Sequence, residues 1–187
     1  MPPPRAVVCR GATGLFFRYI EKALNRGGAT RMRFSKWVKF DQRDKLRNTH
    51  YPGVYAIAIS NKNLAGTRFK WTKAIRYFGF TNAVGGLRGR LNQFNNTLRD
   101  KSGPGHGGAQ RFRQKYRNGN ALAKKLYIAV CPFACDVSAN KPKDLTAMGD
   151  AVRSEYLAFA KYAAFFGGLP EFNDKEKSPK QRSHVPK

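Results

Sequence analysis

The run GVYAIAIS, Gly53 to Ser60, is apolar on both of the faces a strand presents. Such a run needs cover above and below, so it reads as a central strand. NKNLAG follows as a turn, and WTKAIRYFGF, Trp71 to Phe80, reads as the second strand of an antiparallel hairpin. KKLYIAVCPF, bounded by Pro132, gives a third strand. A chain that spends three segments this way folds around a small sheet.

Helical periodicity fills the intervals. GLRGRLNQFNNTL places Leu87, Leu91, Phe94 and Leu98 on one stripe, with Arg90 at its border and Arg88 turned further out. LTAMGDAVRSEYLAFAKYAAFF is a long helix stopped by Gly167-Gly168, and LFFRYIEKALNR, with Leu15, Tyr19, Ile20 and Leu24 on one face, is an amphipathic helix near the N-terminus. The expected fold class is α+β: a three-stranded sheet, a hairpin plus one strand, flanked by helices. Residues 1–50 read as a basic extension or arm carrying one helix, 51–173 as the folded domain, and 174–187 as a disordered polar tail.

Two basic segments carry aromatics. TRMRFSKWVKFDQRDKLRN is either a solvated connector packed through Trp37 and Phe40 or an arm that contacts nucleic acid. DKSGPGHGGAQRFRQKYRNGN, Asp100 to Asn120, is rich enough in Gly to be expected as an irregular loop, and a polar loop of this length is functional or disordered.

Charge narrows the partners. Lys and Arg number 36 against 11 Asp and Glu, a formal net charge of +25 spread along the 187 residues. A polyanion is the expected partner. Aromatics at 13% and an apolar fraction of 41% exclude a wholly disordered basic chain. A ribosomal type of RNA-binding protein fits these numbers as well as a DNA enzyme does. No stretch approaches the roughly 20 apolar residues of a membrane span, and MPPPRAVVCRGATG has no apolar signal core, so a soluble, cytoplasmic protein is expected. Cys9, Cys131 and Cys135 lack paired zinc spacing and are expected as reduced thiols.

The turn after the second strand invites a test for a nucleotide cofactor. Gly79 to Gly85-Gly86 is followed by Leu87 and Arg88, where a P-loop needs Lys and a hydroxyl, and the dinucleotide fingerprint is also missing. No nucleotide cofactor is expected. The last helix offers a different signal. Leu145, Met148, Val152, Glu155, Phe159, Tyr162 and Phe166 recur at spacings of three and four, and Glu155 is the one acid on that stripe. A carboxylate placed there needs a cation: an arginine in a salt bridge, or a metal ion.

Gly53-Val54-Tyr55 and Tyr77-Phe78-Gly79 resemble the paired signatures of the GIY-YIG nuclease superfamily, and LRGRLNQF resembles its helix, aligning Arg90 with the catalytic arginine. Glu155 matches the metal-binding glutamate of a later helix, and GLPEFN, ending in Asn173, looks like the closing motif. The resemblance covers roughly Tyr51 to Asn173, and RLNQF with HGG looks most like free-standing restriction endonuclease members. It implies a DNA endonuclease with Tyr55, Tyr77, Arg90 and Glu155 as catalytic residues. Glu155 would hold one Mg²⁺ or Mn²⁺ per active site, and the substrate would be double-stranded DNA cut at a specific sequence by a homodimer.

Two departures from the family pattern alter the expectations. The two tyrosines are separated by 21 residues, about double the usual interval, so a longer hairpin is expected. Phe94 stands where many relatives have a histidine, and its stripe makes it a core residue. The general base is then sought in Tyr55, whose phenolate nearby metal, Arg and Lys73 would favour, or in His106 of GPGHGG. A DNA-phosphate contact or a turn residue is the favoured reading of His106 over a base. Arg88, His106, Arg111, Arg113, Lys115 and Arg117 are the expected DNA-binding residues. The alternatives are a noncatalytic nucleic-acid-binding protein, or a nuclease of this superfamily in repair or mobile-element biology.

Overall fold

A computed structural model describes residues 32–176, and within them the chain is α+β, built on one four-stranded antiparallel sheet. The strands are β1 (Val38–Lys39), β2 (Gly53–Ile59), β3 (Ile75–Thr81) and β4 (Leu126–Pro132), in the order β1-β4-β2-β3. The helices are α1 (Gly86–Leu98), α2 (Gly107–Lys115), α3 (Gly119–Ala123) and α4 (Pro142–Phe166), with a 3-10 turn over Phe40–Lys45.

The central strand is where its two apolar faces require it. β2 pairs with β3 on one side and β4 on the other, and Val54, Tyr55, Ala56, Ile57 and Ala58 are all fully buried. On one face, α1 and α2 pack Leu87, Leu91, Phe94 and Phe112 against Tyr55, Ile57, Ile128 and Val130. On the other, α4 lays Ala158 and Tyr162 against Ala56, Ala58, Phe78 and Ala129. Small alanines on that face of the sheet leave room for the long helix.

The sheet has four strands where three were expected. The extra strand, β1, comes from the segment read as connector or arm: Val38 pairs with Ile128 and Lys39 with Tyr127, between the buried anchors Trp37 and Phe40. Two residues are too few for a period of two to register in the sequence, and the flanking aromatics hold them in place. Residues 32–50, assigned by sequence to the extension, therefore pack largely on the sheet.

The Asp100 to Asn120 segment is also more regular than expected. α2 and α3 form there, although two glycines open α2 at about 1 kcal/mol each relative to alanine. His106 caps α2, its Nδ1 accepting from the amides of Gly108 and Ala109, while Ala109 and Phe112 are fully buried. Capping and burial together offset the glycines, a balance that composition does not reveal. The second strand starts later than read, at Ile75, which leaves Lys73 in the preceding turn.

β3 lies at the edge of the sheet, so its outer backbone groups need partners from elsewhere. Asn173 supplies two: its Oδ1 accepts from Phe78 N–H and its Nδ2 donates to Phe78 C=O, both at 2.8 Å. Phe172 N–H donates to Arg76 C=O at 3.0 Å, and Tyr162 Oη to Ile75 C=O at 3.1 Å. The closing turn is in turn pinned to α2, with Phe172 stacked on Phe112 at 3.9 Å and Glu171 held by Arg76 and Lys115.

The expected N-terminal helix, Cys9 and residues 177–187 of the expected tail lie outside the described residues. Cys131 and Cys135 are free thiols, and among the described residues no helix is long and apolar enough to cross a membrane. Asn173→Ala removes both bonds to Phe78 and strands a backbone amide; it is expected to lower stability by about 2 kcal/mol, measured by urea unfolding.

Candidate active site

Register places the two tyrosines together. Tyr55 stands opposite Gly79 and Ile57 opposite Tyr77, so with side chains alternating, Tyr55 and Tyr77 are diagonal neighbours on the α1/α2 face. Their ring centroids are 6.0 Å apart. Glycine is required on both sides of this pair. A Cβ on Gly79 would collide with the Tyr55 hydroxyl, and one on Gly108 of α2 would lie 2.6 Å from Tyr77 Cζ.

His106 joins them from the start of α2. Its Nε2 is 2.7 Å from Tyr55 Oη and it is fully buried. Because Nδ1 accepts two amide bonds, at 3.1 and 3.2 Å, that nitrogen carries no proton and Nε2–H donates to Tyr55. Thr97 Oγ1 fixes the same residue by accepting from its backbone N–H at 2.8 Å. The ring also packs edge-on to Phe94, 5.0 Å between centroids, and Phe94 is a core residue as its stripe predicts. His106 is thus neither a surface phosphate contact nor a base open to water; both expectations are corrected by its burial.

Tyr55 is corrected in part as well. Burial pushes its phenol well above the ordinary value of 10, the adjacent Tyr77 adds to the rise, and Arg90 opposes it. The phenolate is not favoured by these surroundings. Lys73, expected to help form it, is exposed in the turn before β3 and does not figure among the charges acting on Tyr55. Tyr77 is raised too, by burial first and then by Glu155, against the pull of Tyr55, Arg90 and Arg111.

Arg90 and Glu155 complete the group from two different layers. Arg90 lies on α1, half-buried, with Nη1 donating to Gln93 Oε1 at 2.8 Å. Glu155 lies on α4, across the sheet, near enough to the Phe80 backbone on β3 for that amide to favour its charged form. Burial raises its carboxyl from 4.5 to about 7, with Arg90 and the Phe80 amide pulling the other way. Arg90 is therefore the cation felt in common by Tyr55, Tyr77 and Glu155. None of the four ion pairs among the described residues includes Glu155.

The remaining predicted residues divide. Asn173 stitches Phe78, so its place is structural support for the strand carrying Tyr77. Arg88 and Arg117 are exposed, Arg113 pairs with Asp100 at 2.7 Å, and Lys115 pairs with Glu171. Arg111 donates from Nη1 to Phe172 C=O at 3.1 Å and acts on Tyr77. Sequence reading placed Arg111 with the outer DNA contacts because the helix that turns it inward was not foreseen; the visible signal was Gly108 and Arg111 at a helical spacing of three.

The glycine turn before α1 does not present amides to an anion. Leu87 N–H donates to Tyr51 C=O and Arg88 N–H to Thr49 C=O, at 2.9 and 2.7 Å, while Gly86 and Gly89 bond within the turn. Gly86 has a φ of +57° and passes so close to the His50 carbonyl that no side chain fits. A cleft of ≈ 630 Å³ is bordered by Asp44, Asn48, His50, Arg88 and Asn92, and neither Tyr55 nor Tyr77 lines it.

The chain matches no protein-family model, no curated protein and no solved structure.

Gly79→Ala is expected to destabilise the fold by about 1–3 kcal/mol through displacement of Tyr55, read from urea unfolding. Glu155 gives a signed pH effect. Its folded pKa, about 7, exceeds the unfolded 4.5, so its contribution to stability is complete below pH 4.5 and is lost as pH rises through 7. Glu155→Gln should accordingly melt a few degrees above the native protein at pH 8 and level with it at pH 4.5.

Proposed function

We propose that this protein is a Mg²⁺-dependent endonuclease that hydrolyses phosphodiester bonds in double-stranded DNA, of the GIY-YIG type, acting as a cytoplasmic type II restriction enzyme and as a homodimer on its site. The observation that carries the reading is the gathering of Tyr55, Tyr77 and Glu155 around one guanidinium, that of Arg90, from β2, β3, α4 and α1. A basic chain of +25 supports a polyanionic substrate.

Glu155 suits a divalent cation. It is a partly buried carboxylate outside the ion pairs of the described residues, with a pKa raised by burial, and a cation would restore its charged form. Among the described residues no cluster of three or more His, Cys, Asp or Glu is present, so further ligands would be water and phosphate oxygens, the coordination Mg²⁺ favours. Bound there, the ion would supply Lewis-acid neutralisation of the scissile phosphate.

The chain's own groups do the rest. Arg90 keeps guanidinium N–H donors beyond its bond to Gln93 and neutralises charge developing on the phosphoryl oxygens. Tyr55 is a neutral, fully buried hydroxyl held by His106, so it positions Tyr77 and does not itself meet water. The water that attacks in line gives its proton to bulk solvent, and the departing 3′ oxygen takes one from solvent as its P–O bond breaks. Tyr77 hydrogen-bonds the phosphate or orients Tyr55.

Plasmid and phage DNA, unmodified and varied in sequence, should be cut with Mg²⁺ and spared in EDTA. Arg90→Ala and Glu155→Ala should each lose at least about 100-fold in rate. Cleavage at limiting Mg²⁺ should rise with pH through about 7 as Glu155 ionises. Failure of the native protein to cut any of these DNAs, or full activity in both variants, would overturn the reading.

A further inference from the structure

We infer that Arg111 is a second phosphate-contacting catalytic residue beside Tyr77, acting together with Arg90 on the scissile phosphate. The inference rests on the nuclease reading and adds a residue to the site.

Geometry brings Arg111 there. Gly108 and Arg111 are three residues apart on α2, so they share a helix face, and at Gly108 that face meets the Tyr77 ring so closely that a Cβ would lie 2.8 Å from its hydroxyl oxygen. The helix start is fixed to the other tyrosine through His106 and Tyr55. Farther along, the Phe112–Phe172 stack and the bond from Arg111 Nη1 to Phe172 C=O lock the helix to the closing turn. The guanidinium is held, and its field reaches Tyr77.

Its partners are incomplete in a way that those of its neighbours are not. Arg113 and Lys115 are neutralised by Asp100 and Glu171, whereas Arg111 has a carbonyl alone and no carboxylate among the described residues. Arg111 Nε is buried with no hydrogen-bond acceptor. Arg76 Nε shares that condition, but the Arg76 guanidinium is paired with Glu171 at 3.2 Å. A partly buried cation beside the tyrosine pair, with one buried donor unsatisfied and no carboxylate against it, carries a charge that an anion would neutralise. A phosphate at Tyr77 meets that requirement, and a planar guanidinium suits its oxygens.

The test separates this role from propping the turn. Arg111→Gln keeps an amide N–H for the Phe172 carbonyl and discards the charge. In single-turnover cleavage of the DNA that the native protein cuts, Arg111→Gln and Arg111→Ala should fall by at least about 100-fold. Affinity for the same DNA in EDTA should fall by less than about tenfold, the share of one phosphate contact among several. The melting temperature of Arg111→Gln should match the native protein, Arg111→Ala should melt a few degrees lower for loss of the Phe172 bond while remaining folded, and free guanidinium ion should restore part of the Arg111→Ala rate. Native-like cleavage by Arg111→Gln, a rate loss no larger than its affinity loss, or unfolding of both variants would overturn the inference. If Arg90→Ala is dead while Arg111→Gln is fully active, this inference alone fails; if the native protein cuts nothing, the nuclease reading fails and takes this one with it.

Discussion

The unpaired edge of β3 is the constraint around which the molecule is arranged. A seven-residue strand at the margin of a sheet exposes backbone donors and acceptors that need partners, and here nearly every partner is a residue from a distant part of the chain. Tyr162 takes Ile75, Phe172 takes Arg76 and Asn173 takes Phe78, and Glu155 comes near the Phe80 amide. Covering the edge this way draws α4 and the closing turn to one margin. It also places a carboxylate from one face of the sheet beside tyrosines and an arginine on the other.

The site is stabilised by the fold and strains against it at one point. Tyr55 and Tyr77 are packed as core residues, admitted by glycines opposite and above them, and His106 is consumed in capping α2 and holding Tyr55. Glu155 is the exception: its ionised form is disfavoured by burial, and the one nearby arginine lessens that effect without reversing it. Most local rules agree throughout the domain, and Glu155 is the residue that departs from them with only partial compensation.

Acids are scarce enough for their uses to be read individually. Asp41 pairs with Arg99, Asp100 with Arg113, and Glu171 with both Arg76 and Lys115, while Asp144 caps the Asp136 amide. The two Glu171 pairs tie α2 and β3 to the closing turn. Arg88 and Arg117 remain exposed on the surface, and Arg90 and Arg111 remain inside without a carboxylate partner in contact.

The sequence by itself determined the central strand, the hairpin, α1, α4 and the core position of Phe94, because each is written in a hydrophobic period longer than its boundaries are uncertain. It also singled out Glu155, since one acid on an apolar stripe is visible without coordinates. Tertiary structure decided the rest. β1 is two residues long and exists because Trp37 and Phe40 are buried on either side, and α2 forms across two glycines because His106 caps it and Phe112 packs beneath it. The burial that raises Tyr55, the removal of His106 from solvent and the inward turn of Arg111 all depend on side chains far apart in the chain meeting at one strand edge. Periodicity records which face of an element is apolar; it does not record which other element that face will meet.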